Sequence, residues 1–189
     1  MTKVLVLLKN GFEEIEALTI VDYLRRAEII VDMVSTEEDI TVTGSHGIKV
    51  QADLTLADLD KDQADLIFLP GGMPGAKSLS EDEKVLDLIR DFDKNGKVIS
   101  AICAAPIVLE NAGVIKDKKV TSYPGFDKFL KSACQYKDDL IVVDENIITS
   151  RGPATAVLLA LELIELLKGR EKMEAIRKDI LFDLLKEKL

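Results

Sequence analysis

The chain has 189 residues, 47% of them hydrophobic and 31% charged, a balance that excludes a disordered polar chain and suffices for one packed core. Its formal net charge of −9 argues against nucleic acid or an anionic membrane as the main partner, because phosphate surfaces attract basic ones. Two cysteines are too few for a disulfide framework, and a single histidine, His46, rules out a histidine-rich metal site.

The first apolar run, Val4–Leu8, is too short for a signal segment or a membrane span and reads as a buried strand. With no export signal, Cys103 and Cys134 are expected to be thiols in a reducing, cytoplasmic setting. A helix is predicted over Glu13–Arg26, where Ile15, Leu18, Val21 and Leu24 recur at helical spacing. Ile29–Ser35 is the second strand. Ile40–Thr43 and Ile48–Gln51 flank Gly44-Ser45-His46-Gly47 as a small hairpin. Leu66–Leu69 is a fully apolar strand ending at Pro70-Gly71-Gly72, and Glu81–Asn95 a helix stopped by Asn95-Gly96. Val98–Ile102 is a further buried strand, ending at Cys103, and Pro106–Asn111 a short helix. Val120–Ser122, Leu140–Asp144 and Ile147–Thr149 are the remaining strand candidates. Pro153 suits the first position of a long helix to about Lys168, and a charged final helix covers Arg170–Lys188. This alternation predicts a mostly parallel α/β sheet with helices on both faces, in one domain over 1–189.

In open sheets of this kind ligands sit beyond the carboxyl ends of the strands. Three such ends carry reactive or permissive residues: Asn10-Gly11 leading to Glu16, Gly71-Gly72, and Cys103. Cys103 passes from strand straight into helix, with small residues behind it that allow a sharp turn. A helix N-terminus there would favour thiolate and lower the pKa. A buried structural cysteine fits the position equally well. The glycines at Gly71-Gly72 let a backbone N–H face an anion, or make a simple turn. Glu13 and Glu14 read as acids complementing the helix dipole. Glu16, between Ile15 and Ala17, can instead face inward and exchange protons with a thiol. His46 reads as an exposed turn residue, Cys134 as a peripheral thiol and Arg151-Gly152-Pro153 as a strand-to-helix turn.

Four segments occur in family order: Asn10-Gly11-Phe12-Glu13-Glu14-Ile15-Glu16, Leu69-Pro70-Gly71-Gly72-Met73-Pro74-Gly75-Ala76, Ala101-Ile102-Cys103-Ala104-Ala105-Pro106, and Thr149-Ser150-Arg151-Gly152-Pro153-Ala154-Thr155-Ala156. Over nearly its full length the chain resembles the ThiJ/PfpI superfamily, a group of class I glutamine amidotransferase-like domains, and looks closest to the branch of the parkinsonism-associated deglycase and bacterial ThiJ proteins. The resemblance implies a flavodoxin-like three-layer sandwich and a homodimer. It implies Cys103 as nucleophile, Glu16 as its carboxyl partner, and backbone N–H groups of Gly72 and Ala104 as oxyanion donors. Tyr123 and Met73 would line the pocket, with Arg26 or His46 reaching it from a second copy. No cofactor and no metal are implied. The implied activity is deglycase or glyoxalase chemistry on methylglyoxal, glyoxal or their adducts, with a role in oxidative stress. The alternative is a redox-sensing chaperone whose Cys103 is oxidised to sulfinate; a catalytically silent binding module is a third reading.

Two departures narrow these implications. The protease-like branch carries a histidine directly after the cysteine, where this chain has Ala104, so a Cys-His protease dyad is not expected. The parkinsonism-associated members carry a histidine at the position of Tyr123, whose hydroxyl, titrating near about pH 10, is a poor base at neutral pH. Proton transfer then falls to Glu16.

Overall fold

The computed structural model describes residues 2–188, Lys186 through its backbone alone. The single-domain expectation over 1–189 therefore includes two end residues outside the described range. Strand β1 (Lys3–Leu8) lies centrally, with β2 (Ile30–Ser35) on one side and β6 (Leu66–Leu69) on the other, both parallel to it. The main sheet has seven strands in the order β10-β11-β7-β6-β1-β2-β5, adding β5 (Leu54–Thr55), β7 (Val98–Ile102), β10 (Ile141–Asp144) and β11 (Ile147–Ser150). Only the edge pair β10–β11 is antiparallel within it. The expected hairpin is present as β3 (Thr41–Thr43) and β4 (Lys49–Gln51), in antiparallel register.

Period-two alternation splits β1 between two cores. Val4, Val6 and Leu8 pack with α1 (Glu14–Arg26), α5 (Ala156–Lys168) and α6 (Arg170–Asp179). Leu5 and Leu7 face α2 (Gly75–Ser80), α3 (Glu83–Lys94) and α4 (Pro106–Ala112). Every residue from Val4 to Leu8 is fully buried, as a central parallel strand requires. The result is the expected flavodoxin-like sandwich.

Several boundaries differ from expectation for local reasons. The predicted helix over Glu81–Asn95 begins at Glu83, because the Asp82 side chain accepts from the Lys84 N–H and caps it there. A separate helix, α2, precedes it. Val120–Ser122 does not join the main sheet: β8 (Lys119–Val120) pairs instead with β9 (Gln135–Tyr136), a parallel ribbon of two residues each. The final helix is broken, since Leu181 adopts a left-handed φ of 58° between α6 and α7 (Phe182–Lys186). Among the described residues no helix is long and apolar enough to cross a membrane.

Candidate active site

The carboxyl ends of β1, β6 and β7 bring Glu16, Gly71-Gly72 and Cys103 together. Cys103 follows β7 directly and adopts a φ of 62°, a left-handed conformation that costs energy in a residue with a Cβ. Two backbone bonds hold it: its N–H donates to Ser150 O at 3.0 Å, and its carbonyl accepts from the Tyr123 N–H at 2.8 Å. Small neighbours, Ala104 and Ala105, let the chain turn at once into α4. This sharp turn lifts the sulfur off the sheet toward the crevice.

Glu16 lies in the first turn of α1 and is fully buried. Its Oε2 accepts the Gly71 N–H at 2.8 Å. Its Oε1 is buried without a hydrogen-bond partner among the described residues. Gly71 is the spacer between the two side chains. A Cβ there would stand 2.6 Å from Cys103 Cβ and 2.7 Å from Glu16 Oε2, so only glycine leaves room for the pair. Sequence reasoning weighted Gly72 and missed this stricter role of Gly71.

Burial pushes the Glu16 carboxyl up to about 7, against the Gly71 N–H, the Cys103 contact that lowers it, and with the Glu13 charge adding to the rise. Burial likewise pushes the Cys103 thiol up to about 12, and the charge and hydrogen bonding of Glu16 add to it. The nearby backbone N–H groups of Ala104 and Gly72 oppose that rise. The expectation of a thiol lowered by the helix terminus is thus corrected. Beside an ionised Glu16, desolvation and like charge outweigh two N–H donors. Carboxyl and thiol act as one unit. It gives up a first proton near pH 7 and holds the second far longer. Protonating Glu16 removes the repulsion and turns its hydroxyl into a possible donor to sulfur.

The sulfur opens on a shallow pocket of about 280 Å³ lined by Glu13, Gly72, Met73, Cys103, Ala104, Tyr123, Phe126 and Pro153. Met73 and Tyr123 are therefore where they were expected. The Tyr123 ring lies over Gly152, where a Cβ would meet it at 3.2 Å. Arg26 and His46 do not line the pocket in the single chain. Arg26 closes the far end of α1 on Asp22 at 2.7 Å. His46 sits on the hairpin turn with Nδ1 2.8 Å from Glu14 Oε2. Arg151 binds the Asp138 side chain and carbonyl, both at 2.8 Å, in keeping with a structural turn. Cys134 is exposed on the loop before β9.

The two acids before Glu16 part company with the helix-dipole reading. Glu14 is 2% exposed and accepts the His46 N–H at 2.7 Å besides its ring contact. Burial opposes its ionisation, but hydrogen bonds from His46, its own N–H and Ile48 prevail and hold it at about 2. It thereby ties the hairpin to α1. Glu13 caps α1 by its backbone, donates its N–H to Gly71 O at 2.9 Å and is among the residues lining the pocket, while its Oε2 accepts the Ser45 hydroxyl at 3.2 Å and lies 3.7 Å from His46 Nδ1. The motif Glu-Glu-Ile-Glu marked the place, but only the fold separates the three roles. Glu13, Glu14 and His46 also form a cluster with ligand atoms within 4.8 Å of one another.

Residues 2–166 match the DJ-1/PfpI family. The chain belongs to the DJ-1/PfpI family. It is 41% identical to protein dj-1beta of Drosophila melanogaster over 178 residues, covering 94% of this chain and 95% of that one. The crystal structure of Drosophila DJ-1beta superposes with a TM-score of 0.92 at 39% identity, covering 95% of this chain and 97% of the other. Other DJ-1-type relatives include a glutathione-independent glyoxalase of Caenorhabditis elegans, 34% identical over 89% of each chain. A deglycase of Pyrococcus horikoshii is 35% identical, over 88% of this chain and 99% of its own. These relatives support a DJ-1-type glyoxalase or deglycase role.

Proposed function

We propose that the protein converts small 2-oxoaldehydes such as methylglyoxal, or their adducts, to 2-hydroxy acids at Cys103, without metal or organic cofactor. The observation that carries this reading is the strained turn at Cys103, which the Gly71 spacer sets beside Glu16, with Gly72 and Ala104 lining the same pocket. Glu16 takes the thiol proton, the sulfur adds to the aldehyde carbon, and that proton passes to the new oxyanion, giving a hemithioacetal and restoring the carboxylate. The same carboxylate then removes the hydrogen from that carbon and returns it as a proton to the neighbouring carbonyl carbon, while the hydroxyl proton shifts to the ketone oxygen. The aldehyde carbon is oxidised to a thioester while the ketone carbon is reduced to a secondary alcohol. Water cleaves the thioester, releasing the 2-hydroxy acid and the thiol. The net change is addition of one water, with no external oxidant. The Gly72 and Ala104 N–H groups, from residues lining the pocket, are offered to the oxyanion.

The test is lactate formation from methylglyoxal by the purified protein and by its Cys103→Ser variant. Turnover dependent on Cys103 supports the proposal; equal turnover in the variant overturns it.

A second reading is favoured by one observation, the buried Glu16 Oε1 without a hydrogen-bond partner among the described residues. A Cys103 sulfinate would accept a hydrogen bond from that oxygen when Glu16 is protonated, as a redox-responsive chaperone or stress protein would use it. Mild peroxide should then add two oxygens, lost in Cys103→Ala; uptake at Cys134 instead would sink this reading. We further propose a homodimer. Ile15 and Leu18 on α1 and Ile48 on the hairpin are exposed on the same side as the Glu14–His46 tie. A second copy against this face would supply the setting in which Arg26 or His46 could reach an anion at the site.

A further inference from the structure

The Cys103 pocket borders a larger concavity, with which it shares two lining residues. Beyond Met73 and Phe126, which belong to both, lies a trough of about 480 Å³ between α2, α4 and the loop carrying Phe129. Ile107 and Phe129 form its apolar walls, and Lys77 stands at its rim. Three aromatic rings run from one space into the other. Tyr123 meets Phe126 edge-on at 6.4 Å, and Phe126 meets Phe129 at 5.6 Å. Met73 and Phe129 are 49% and 50% exposed, an apolar surface left facing water next to the Cys103 pocket. A trough of this volume is the size of a small-molecule site. A three-carbon dicarbonyl on Cys103 would leave it empty.

We propose that this trough is a substrate subsite, and that the protein acts on 2-oxoaldehydes bearing an aryl or branched-alkyl substituent, with Phe129 and Ile107 setting that specificity. This deepens the reading of the Cys103 pocket given above and rests on it. The reacting dicarbonyl sits at the sulfur, and the substituent lies along Phe126 against Phe129 and Ile107.

Two measurements on the same protein separate the subsite from the chemistry. The first compares kcat/KM for phenylglyoxal and methylglyoxal. The second compares Cys103 alkylation by N-benzyl iodoacetamide and by iodoacetamide, which needs no turnover. Both should favour the aryl compound by about 10-fold or more, the scale of one well-filled apolar pocket. In Phe129→Ala, a change at a half-exposed side chain, both preferences should fall to within about 3-fold. Aryl-preferring alkylation without turnover of either dicarbonyl would defeat the enzymatic reading and leave the subsite standing. Turnover of methylglyoxal with no aryl preference in either measurement would overturn the subsite. Survival of both preferences in Phe129→Ala and in Ile107→Ala would overturn it as well.

Discussion

The backbone N–H of Gly71 donates to Glu16 Oε2 at 2.8 Å, joining residues 55 positions apart at the floor of the Cys103 pocket. This bond aims the carboxyl at the sulfur and leaves its other oxygen free. It also makes Gly71 the residue through which β6 sets the distance between acid and thiol.

Replacing Gly71 by alanine therefore disrupts the pair itself. The new methyl would overlap both Cys103 Cβ and Glu16 Oε2. Activity should fall by roughly 100-fold or more, since misplacement of about 1 Å costs on that scale. Stability should drop by about 1–3 kcal/mol from overpacking. Thermal unfolding together with methylglyoxal turnover checks both, and a Gly71→Ala protein of undiminished activity would refute the spacer role.

The pH dependence of Cys103 alkylation should follow the pair rather than a lone thiol. In the native protein the rate should start to climb as the first shared proton leaves, near the pH of about 7 to which burial raises Glu16. In Glu16→Gln that step should vanish, because the group that titrates there is gone. Turnover should fall at least about 100-fold, the usual worth of a proton-transferring group. An unchanged midpoint in the variant would mean that acid and thiol are not coupled.

Glu13 offers a finer adjustment. Its negative charge helps to raise Glu16. Glu13→Gln should lower the Glu16 pKa and move the acidic limb of the kcat/KM profile to lower pH. A shift to higher pH, or none, would show that the Glu13 charge does not reach the site.

The Glu14 tie predicts behaviour in acid. Its folded-state pKa, about 2, lies below the ordinary value of 4.5. The stability it contributes is thus complete above about pH 4.5 and is lost as pH falls toward 2. The His46 pKa is raised, chiefly by its hydrogen bond to Glu14. The part owed to charged His46 is present below its ordinary value of 6.5 and is lost as pH rises through the raised one. Glu14→Gln should lower stability by about 1–3 kcal/mol at neutral pH, as buried donors lose a charged acceptor. It should also flatten the acid limb of the denaturation profile. Equal slopes between pH 4.5 and 2 in both proteins would remove Glu14 from this role.

Strand and helix order were legible because period-two and period-3.6 patterns are local, and the apolar runs at Val4–Leu8, Leu66–Leu69 and Val98–Ile102 have one reasonable use in a buried sheet. The motifs at Glu16, Gly71-Gly72 and Cys103 pointed to three strand ends, and the fold brings those ends together. Electrostatics was not legible. The pKa of Cys103 depends on how deeply the sulfur sinks and on a carboxylate 87 positions earlier, neither of which a local pattern encodes. Nor could the run Glu13-Glu14-Ile15-Glu16 reveal which acid lines the pocket, which ties the hairpin and which meets the thiol. Helical rotation of about 100° per residue turns neighbours to different faces, and what waits at each face is set by segments far along the chain. The break at Leu181 and the pairing of β8 with β9 belong to the same class. Short-range sequence determined the elements and their reactive residues; long-range packing decided their charge states, their partners and the shape of the space they share.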